Sequence, residues 1–338
     1  MSTRVRLTPA IADIRRAIRE SWQANNINSG LVAVACSGGP DSLALAAAAI
    51  FEGRRAKIKI AVVIINHNLQ AGSRLVADKT AKLATDLGAD LVSVIDVSVS
   101  KTNIGLEAAA RKARYEALAE FAKTNKVKIT MLGHTLDDQA ETVLLGLARG
   151  SGAKSLAGMQ EKSPDGKYLR PLLGIQRETT VSFCKDSGLK FWTDPQNSDE
   201  KFSRVKVRKK VLPVIEKELG PGISQALART AEILQEDAKY IDSQADKVFA
   251  KVATVLATEI ILDVNSLVKQ PVALANRVVL KALQLLGVEP NRNAVEAVMK
   301  LITNWHGQKP LNLPGVRVIR KGNQISLKST KTIKTGAC

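Results

Sequence analysis

Leu31-Val32-Ala33-Val34-Ala35-Cys36-Ser37-Gly38-Gly39-Pro40-Asp41-Ser42 is the stretch on which the reading of this chain turns. Its first six residues are small or apolar and spell a buried strand, and Leu43 to Ile50 begin a helix. Two glycines between them give the turn access to positive φ, so that successive N–H groups can converge on an anion. Ser37 and Ser42 add hydroxyl donors, and the following helix points its N-terminal dipole at the same spot. A phosphate or pyrophosphate suits such a turn. No Gly-x-x-x-x-Gly-Lys-Ser/Thr occurs anywhere in the chain, so this is not the lysine-bearing phosphate loop. The competing reading is an ordinary glycine turn between strand and helix.

Outward from this turn the first half alternates regularly. Strand-like runs at Leu31–Cys36, Ile58–Ile65, Leu91–Asp96 and Lys128–Gly133 are separated by helical patterns at Leu43–Gly53, Arg74–Gly88 and Leu106–Asn125. Another helix follows at Asp138–Arg149. Continuous apolar strands spaced by such helices predict a parallel sheet covered on both faces, with ligands at the carboxyl ends of its strands. Cys36, Asn66-His67 and Gly133-His134 fall at those ends. From Ser151 to Asn197 the pattern is loops around a short helix at Glu178–Asp186. Later helices are expected at Gly222–Val255, Pro271–Gly287 and Arg292–Thr303, and a short meander over Leu311–Leu313, Val316–Arg320 and Gln324–Leu327.

The 338 residues carry 50 Lys and Arg against 32 Asp and Glu, a net charge of +18, which draws polyanions through counterion release. Aromatic residues make up only 4%, so charge and shape outweigh stacking as the main route to a nucleic acid. The three cysteines, Cys36, Cys184 and Cys338, form no Cys-x-x-Cys pair, and with three histidines no metal-binding framework is legible. No apolar run reaches membrane-spanning length and the N-terminus lacks a signal-peptide pattern, so a cytoplasmic protein without membrane contact is expected.

Three further clusters bear on chemistry. Asp138 and Glu141, three apart at a helix start, project from one face; they favour the helix dipole, and at a phosphate-binding sheet edge they can also hold Mg²⁺ or an ammonium group. His134 lies just before them at a strand end. Arg111 and Arg114 share a helix face suited to triphosphate oxygens, with a solvated basic face as the plainer reading. Lys201, Arg204, Lys206, Arg208, Lys209 and Lys210 form a basic run with no acid among residues 201–210.

The Ser37–Ser42 turn looks like the Ser-Gly-Gly-x-Asp-Ser pyrophosphate loop of enzymes that split ATP into AMP and pyrophosphate. Taken with Asn66 to Ser73, Glu107 to Tyr115, Gly133 to Gly152, Arg170-Pro171-Leu172-Leu173, Trp192 to Asn197 and Val211-Leu212-Pro213, the chain resembles the bacterial tRNA(Ile)-lysidine synthetases. A weaker likeness runs from Pro271 through Leu313-Pro314-Gly315-Val316, so the resemblance spans about residues 25–328. The run Gly133-His134-Thr135-Leu136-Asp137-Asp138-Gln139-Ala140-Glu141-Thr142 is its most specific part. Departures are Gln70 where the family usually has arginine, Val205 where it has asparagine and Gln196 where it has serine. The chain resembles a short form, without the extra C-terminal domain of longer relatives.

The resemblance implies a doubly wound α/β fold of the PP-loop ATP pyrophosphatase kind, adenine nucleotide alpha hydrolase-like, with a smaller, mainly helical C-terminal domain. It divides the chain into an N-terminal helical extension (1–24), a catalytic domain (25–217), a tRNA-binding domain (218–328) and a disordered tail (329–338). The implied reaction adenylates the wobble cytidine of tRNA(Ile) bearing a CAU anticodon, then displaces AMP with the ε-amine of free lysine. ATP would be cradled by Ser37, Gly38, Gly39, Pro40, Asp41 and Ser42 together with Arg111, Arg114 and His134. Asp41, Arg114, Asp138 and Glu141 would be catalytic, and Asp41 and Asp138 would hold Mg²⁺. Arg204, Lys206, Arg208, Lys209 and Lys210 would grip the tRNA. A homodimer stays open at this level. So do two alternatives, another PP-loop tRNA-modifying pyrophosphatase and a non-catalytic RNA-binding relative.

Overall fold

The computed structural model describes residues 7–68, 72–98, 106–150, 152–194, 199–288 and 290–330. Gln70, Gln196 and the tail 331–338 therefore lie outside the described residues. The chain divides into two compact units, Met1–Gln235 and Glu236–Cys338.

In the first unit, β1 (Leu31–Ala35), β2 (Lys59–Asn66), β3 (Leu91–Asp96), β4 (Val127–Leu132) and the two-residue β5 (Tyr168–Leu169) form a parallel sheet in the order β3-β2-β1-β4-β5. The helices are α1 (Pro9–Ala24), α2 (Pro40–Ala56), α3 (Ser73–Leu87), α4 (Leu106–Thr124), α5 (Leu136–Ala148), α6 (Ala153–Leu156) and α7 (Arg177–Asp186). Because side chains alternate along a strand, Val32, Val34, Ile60, Val62 and Ile64 enter one core while Ala33, Ala61 and Val63 enter another on the opposite face. Ile14, Ile18 and Trp22 of α1 join the first core; Leu118 and Phe121 of α4 join the second. Strand order reverses between β1 and β4, and in sheets of this kind that reversal opens the ligand crevice.

Beyond α7, α8 (Ser203–Lys206) and α9 (Leu212–Leu219) run on from each other through a π-helical stretch, Val207–Val211. The long α10 (Ile223–Val252) follows.

The second unit is mainly helical, as expected, but carries more strand than the sequence suggests. It contains a five-stranded antiparallel sheet in the order β6-β7-β10-β9-β8, made of β6 (Ala253–Val255), β7 (Glu259–Asp263), β8 (Leu311–Leu313), β9 (Val316–Lys321) and β10 (Gln324–Ser329). The predicted meander is the three-strand half of this sheet. The sequence pattern continues the preceding helix through β6 and marks no element at β7, because short apolar runs lack a decisive period. With α11 (Val264–Val268), α12 (Val272–Leu285) and α13 (Arg292–Thr303) the sheet shares a core that includes Leu262, Val278, Val298, Val318 and Leu327, all fully buried.

Candidate active site

The Ser42 hydroxyl organises the loop after β1. It accepts the Ser37 backbone N–H at 3.1 Å, lies 3.1 Å from Ser37 Oγ and donates to the Gly39 carbonyl at 3.1 Å. Pro40 opens α2, where a missing N–H costs nothing. Only one glycine uses positive φ, correcting the expectation of two. Gly38 has φ +84°, and a Cβ there would come within 2.5 Å of Thr80 Oγ1. Gly39 is extended at φ −75° and caps α2. Trp192 N–H donates to the Gly38 carbonyl at 2.9 Å, bringing the segment after α7 over the loop.

β4 delivers the second half of the site beside this loop. A Cβ on Gly133 would lie 3.0 Å from Ser42 Cα and N and 3.1 Å from the Asp41 carbonyl carbon, so the strand end passes directly under the first turn of α2. Gly133→Ala is expected to cost about 1–3 kcal/mol, because a backbone rather than a flexible side chain must yield. Urea unfolding of the variant checks this. Next along the chain, Asp138 Oδ2 accepts both the Thr135 N–H and the Thr135 hydroxyl at 2.9 Å, a capping box that fixes the start of α5.

The carboxylates meet on two arginines. Arg177, the first residue of α7, donates to Asp41 Oδ2 at 3.3 Å, Asp138 Oδ1 at 2.8 Å and Glu141 Oε1 at 3.4 Å. Its backbone N–H donates to Asp137 Oδ2 at 2.8 Å, and Thr180 Oγ1 donates to Asp41 Oδ1. Arg208, from the π-helical stretch, clamps Glu141 with Nε at 2.6 Å and Nη2 at 3.1 Å. The Glu141 side chain is completely buried, and Asp138 is nearly so.

Burial pushes the Asp41 carboxyl above its ordinary range, with Arg177 and Thr180 pulling against it. Burial acts the same way on Asp138, but Arg177, the Thr135 hydrogen bonds and His134 together bring that carboxyl below its ordinary value. Burial favours the neutral form of Arg177, but the carboxylates of Asp138, Asp41, Glu141 and Asp137 outweigh it and hold the guanidinium charged.

His134, just past the end of β4, feels the charges of Asp138 and of Arg114, Arg170 and Arg111. Burial first, and those arginines second, bring its pKa down to about 3, so at neutral pH it is an uncharged imidazole. The Arg111 and Arg114 guanidinium carbons lie 5.0 Å and 5.3 Å from the Tyr115 ring centroid. Tyr115 packs edge-on against Tyr168, with 4.9 Å between centroids. Among the described residues, His67 Nδ1, Arg114 Nε, His134 Nδ1 and Arg170 Nε are buried without a hydrogen-bond partner. Unsatisfied buried donors and acceptors are costly, and gathered at a sheet edge beside exposed Ser37 they suit a polar, anionic ligand.

Of the residues singled out in the sequence, the structure thus joins Ser37–Ser42, Asp138 and Glu141, and places His134 where it feels the charges of Asp138 and the arginines of α4. The basic run is split. Lys206 and Lys209 are exposed, Lys210 pairs with Glu200 at 2.5 Å, Arg204 Nη2 donates to Thr142 Oγ1 at 3.1 Å, and Arg208 belongs to the carboxylate cluster. Val205 is buried. Arg177 and Thr180 were not legible beforehand. The one local sign was a cation at the first position of a helix, where the dipole disfavours it.

Residues 12–215 match the PP-loop domain family, and residues 262–325 match the TilS substrate binding domain family. The tRNA(Ile)-lysidine synthase of Leifsonia xyli subsp. xyli is 48% identical over 299 residues, covering 88% of this chain and 89% of that one. The proteins of the same name from Thermobifida fusca and Salinispora arenicola are 43% and 41% identical; their matches span 91% and 95% of this chain and 94% and 97% of theirs. The chain belongs to the tRNA(Ile)-lysidine synthase family. Among solved structures, the U34-tRNA thiolase NcsA from Methanococcus maripaludis superposes with a TM-score of 0.58 at 19% identity, covering 67% of this chain and 79% of that chain. That likeness concerns the fold alone. The Ser37–Ser42 loop and the Asp41, Asp138 and Glu141 carboxylates all lie within the residues that match the PP-loop domain.

Proposed function

We propose that this protein ligates free L-lysine to C2 of the wobble cytidine in tRNA(Ile) with a CAU anticodon, at the expense of ATP. The observation that carries the reading is the pairing, at one switch point, of a pyrophosphate-type loop with a buried Asp41–Asp138–Glu141 cluster, in a chain of this family. In the first step the cytidine C2 oxygen attacks the α-phosphorus and the bond to pyrophosphate breaks. In the second the ε-amine of lysine attacks C2, the C2–O bond breaks, AMP leaves and the nitrogen gives up a proton. The loop N–H groups and the hydroxyls of Ser37 and Ser42 hold the departing pyrophosphate, with Gly38, Gly39 and Pro40 shaping the turn. Arg111 and Arg114 offset charge that develops on the phosphates. Neutral His134 orients the nucleotide. Asp41 and Asp138, which keep some exposure, receive the lysine ammonium and take its proton, whereas Glu141, fully buried between Arg177 and Arg208, positions those arginines.

Among the described residues, no three His, Cys, Asp or Glu side chains are placed to hold a metal by themselves. Asp41 and Asp138 nonetheless fit Mg²⁺ arriving with ATP, since that ion needs only one or two carboxylates when phosphate oxygens and water fill its other positions. It would supply charge stabilisation at the phosphates. The described residues include no helix long and apolar enough to cross a membrane, and a tRNA substrate suits a cytoplasmic enzyme. Residues 25–217 would carry the chemistry, and 218–328 would grip the tRNA.

Mass analysis of the wobble nucleotide after incubation with tRNA, lysine and ATP tests the reading. A lysine-sized adduct that requires all three is expected, and its absence with folded protein would overturn it. The exposed part of the basic run gives a second expectation. Replacing Lys206 and Lys209 by alanine should flatten the dependence of log tRNA affinity on log salt by about 1.4–1.8, the contribution of two phosphate contacts. ATP affinity without tRNA should stay the same, and an unchanged salt slope would reduce these lysines to a solvated surface.

A further inference from the structure

We propose that Trp305 and Lys269, on the second unit, form a shelf for one unstacked nucleotide of the tRNA, its base lying on the indole and its phosphate against the ammonium. The proposal deepens the tRNA reading and rests on it. Of the three tryptophans, Trp22 is buried with its Nε1–H donated to Met131 Sδ at 3.3 Å, and Trp192 is half-buried. Trp305 is 40% exposed. It offers a partly open aromatic face in a chain with few aromatic residues.

The indole is held in place from below. Arg320 Nη1 donates to the carbonyls of Leu301 and Ile302 at 2.7 Å each, satisfying the open end of α13, and its Nε donates to the Gly322 carbonyl at 3.1 Å. Pinned at three points, its guanidinium carbon lies 4.8 Å from the Trp305 ring centroid. The turn that carries the tryptophan is fixed as well: His306 N–H donates to Gln308 Oε1 at 2.9 Å, and Gln308 Nε2 donates to the Asn304 carbonyl at 2.6 Å. Such a ring loses little freedom when a base stacks on it.

A surface cavity of about 540 Å³ adjoins the ring, lined by Asn265, Val268, Lys269, Thr303, Trp305 and Arg320 among others; among the described residues its charged lining residues are Lys269 and Arg320, with the Asp263 carboxylate near enough to feel Lys269. Val268 is 53% exposed, and Lys269 is exposed beside it. An aromatic platform with an exposed lysine beside it offers a ring for an unstacked base and an ammonium for its phosphate. The charge favours RNA over an apolar protein segment as the occupant.

The test uses the full chain and a tRNA(Ile) transcript with the CAU anticodon. Trp305→Ala should weaken tRNA binding by about five- to 150-fold, the range that one base–aromatic stack contributes. Trp305→Phe should restore most of it, and Lys269→Ala should flatten the log–log salt slope by about 0.7–0.9. In the unmodified protein, tRNA should shield tryptophan emission from acrylamide, and Trp305→Phe should lose that shielding. If Trp305→Ala proves unstable, the shielding and the Phe variant still decide. Unchanged tRNA affinity in a folded Trp305→Ala variant, or no shielding, overturns the shelf. Shielding without lysidine formation would leave the shelf standing and overturn the reaction instead.

Discussion

Replacing Arg177 by alanine is expected to destabilise the first unit by about 3–5 kcal/mol, the cost of stranding buried charges whose partner has been removed. The guanidinium reaches Asp41, Asp138 and Glu141 at once, and the Glu141 side chain has no exposure to water. Arg208 would still hold Glu141, but Asp41 would keep only Thr180. The penalty should depend on pH in a defined direction. With Arg177 in place, Asp138 titrates below its unfolded value, so it adds stability that is present above pH ~4 and fades as pH falls through its folded pKa. Removing Arg177 takes away the largest lowering influence on both carboxyls, so Asp138 moves up and loses part of that contribution, while Asp41 rises further above its ordinary value and costs stability as pH rises through it. The gap between the unmodified protein and the variant should therefore narrow from pH 7.5 to pH 5. Hydrogen exchange of the β1 and β4 amides reads this gap unit by unit. A gap that stays constant or widens on acidification would remove the charge argument.

Asp41→Asn should leave the fold nearly intact and reduce lysidine formation by about two to three orders of magnitude, the equivalent of several kcal/mol of charge stabilisation at the phosphates. The stability half follows from burial, which already disfavours the charged form of Asp41, so a neutral side chain of the same shape costs little there. The Asn carbonyl oxygen can still accept from Arg177, and the Thr180 hydroxyl, which also reaches the Arg177 carbonyl, can donate there and accept from the Asn amide N–H. What it lacks is the negative charge beside the pyrophosphate loop. The thermal transition and single-turnover product formation, measured on one preparation, check both halves. Turnover near that of the unmodified protein would place the essential charge elsewhere.

Much of the first unit was legible in the chain. Runs such as Leu31–Ala35 and residues 60–65 are apolar throughout because an inner parallel strand is buried on both faces. The loop was readable for the same reason: Ser37 to Ser42 act through backbone and short side chains within one turn, so sequence neighbours are also spatial neighbours. Asp138 and Glu141 lie one helical turn apart and were found by spacing.

What tertiary structure decided is which charges meet. Arg177 is 136 residues from Asp41 and 36 from Glu141, and Arg208 is 67 from Glu141, so no local pattern couples them. The same applies to the basic run. A helix with a π-helical stretch turns Arg204 and Arg208 inward to partners outside the run, while Lys210 pairs with Glu200 at the surface and Lys206 and Lys209 face water. In the second unit, Ala253–Val255 and Glu259–Asp263 become strands through pairing with each other and with a hairpin some 60 residues downstream. The sequence alone determined the sheet, the loop and the acids on α5. Long-range packing determined how those acids are neutralised, since an ion pair is fixed by distance in space and desolvation, neither of which is written in the order of residues.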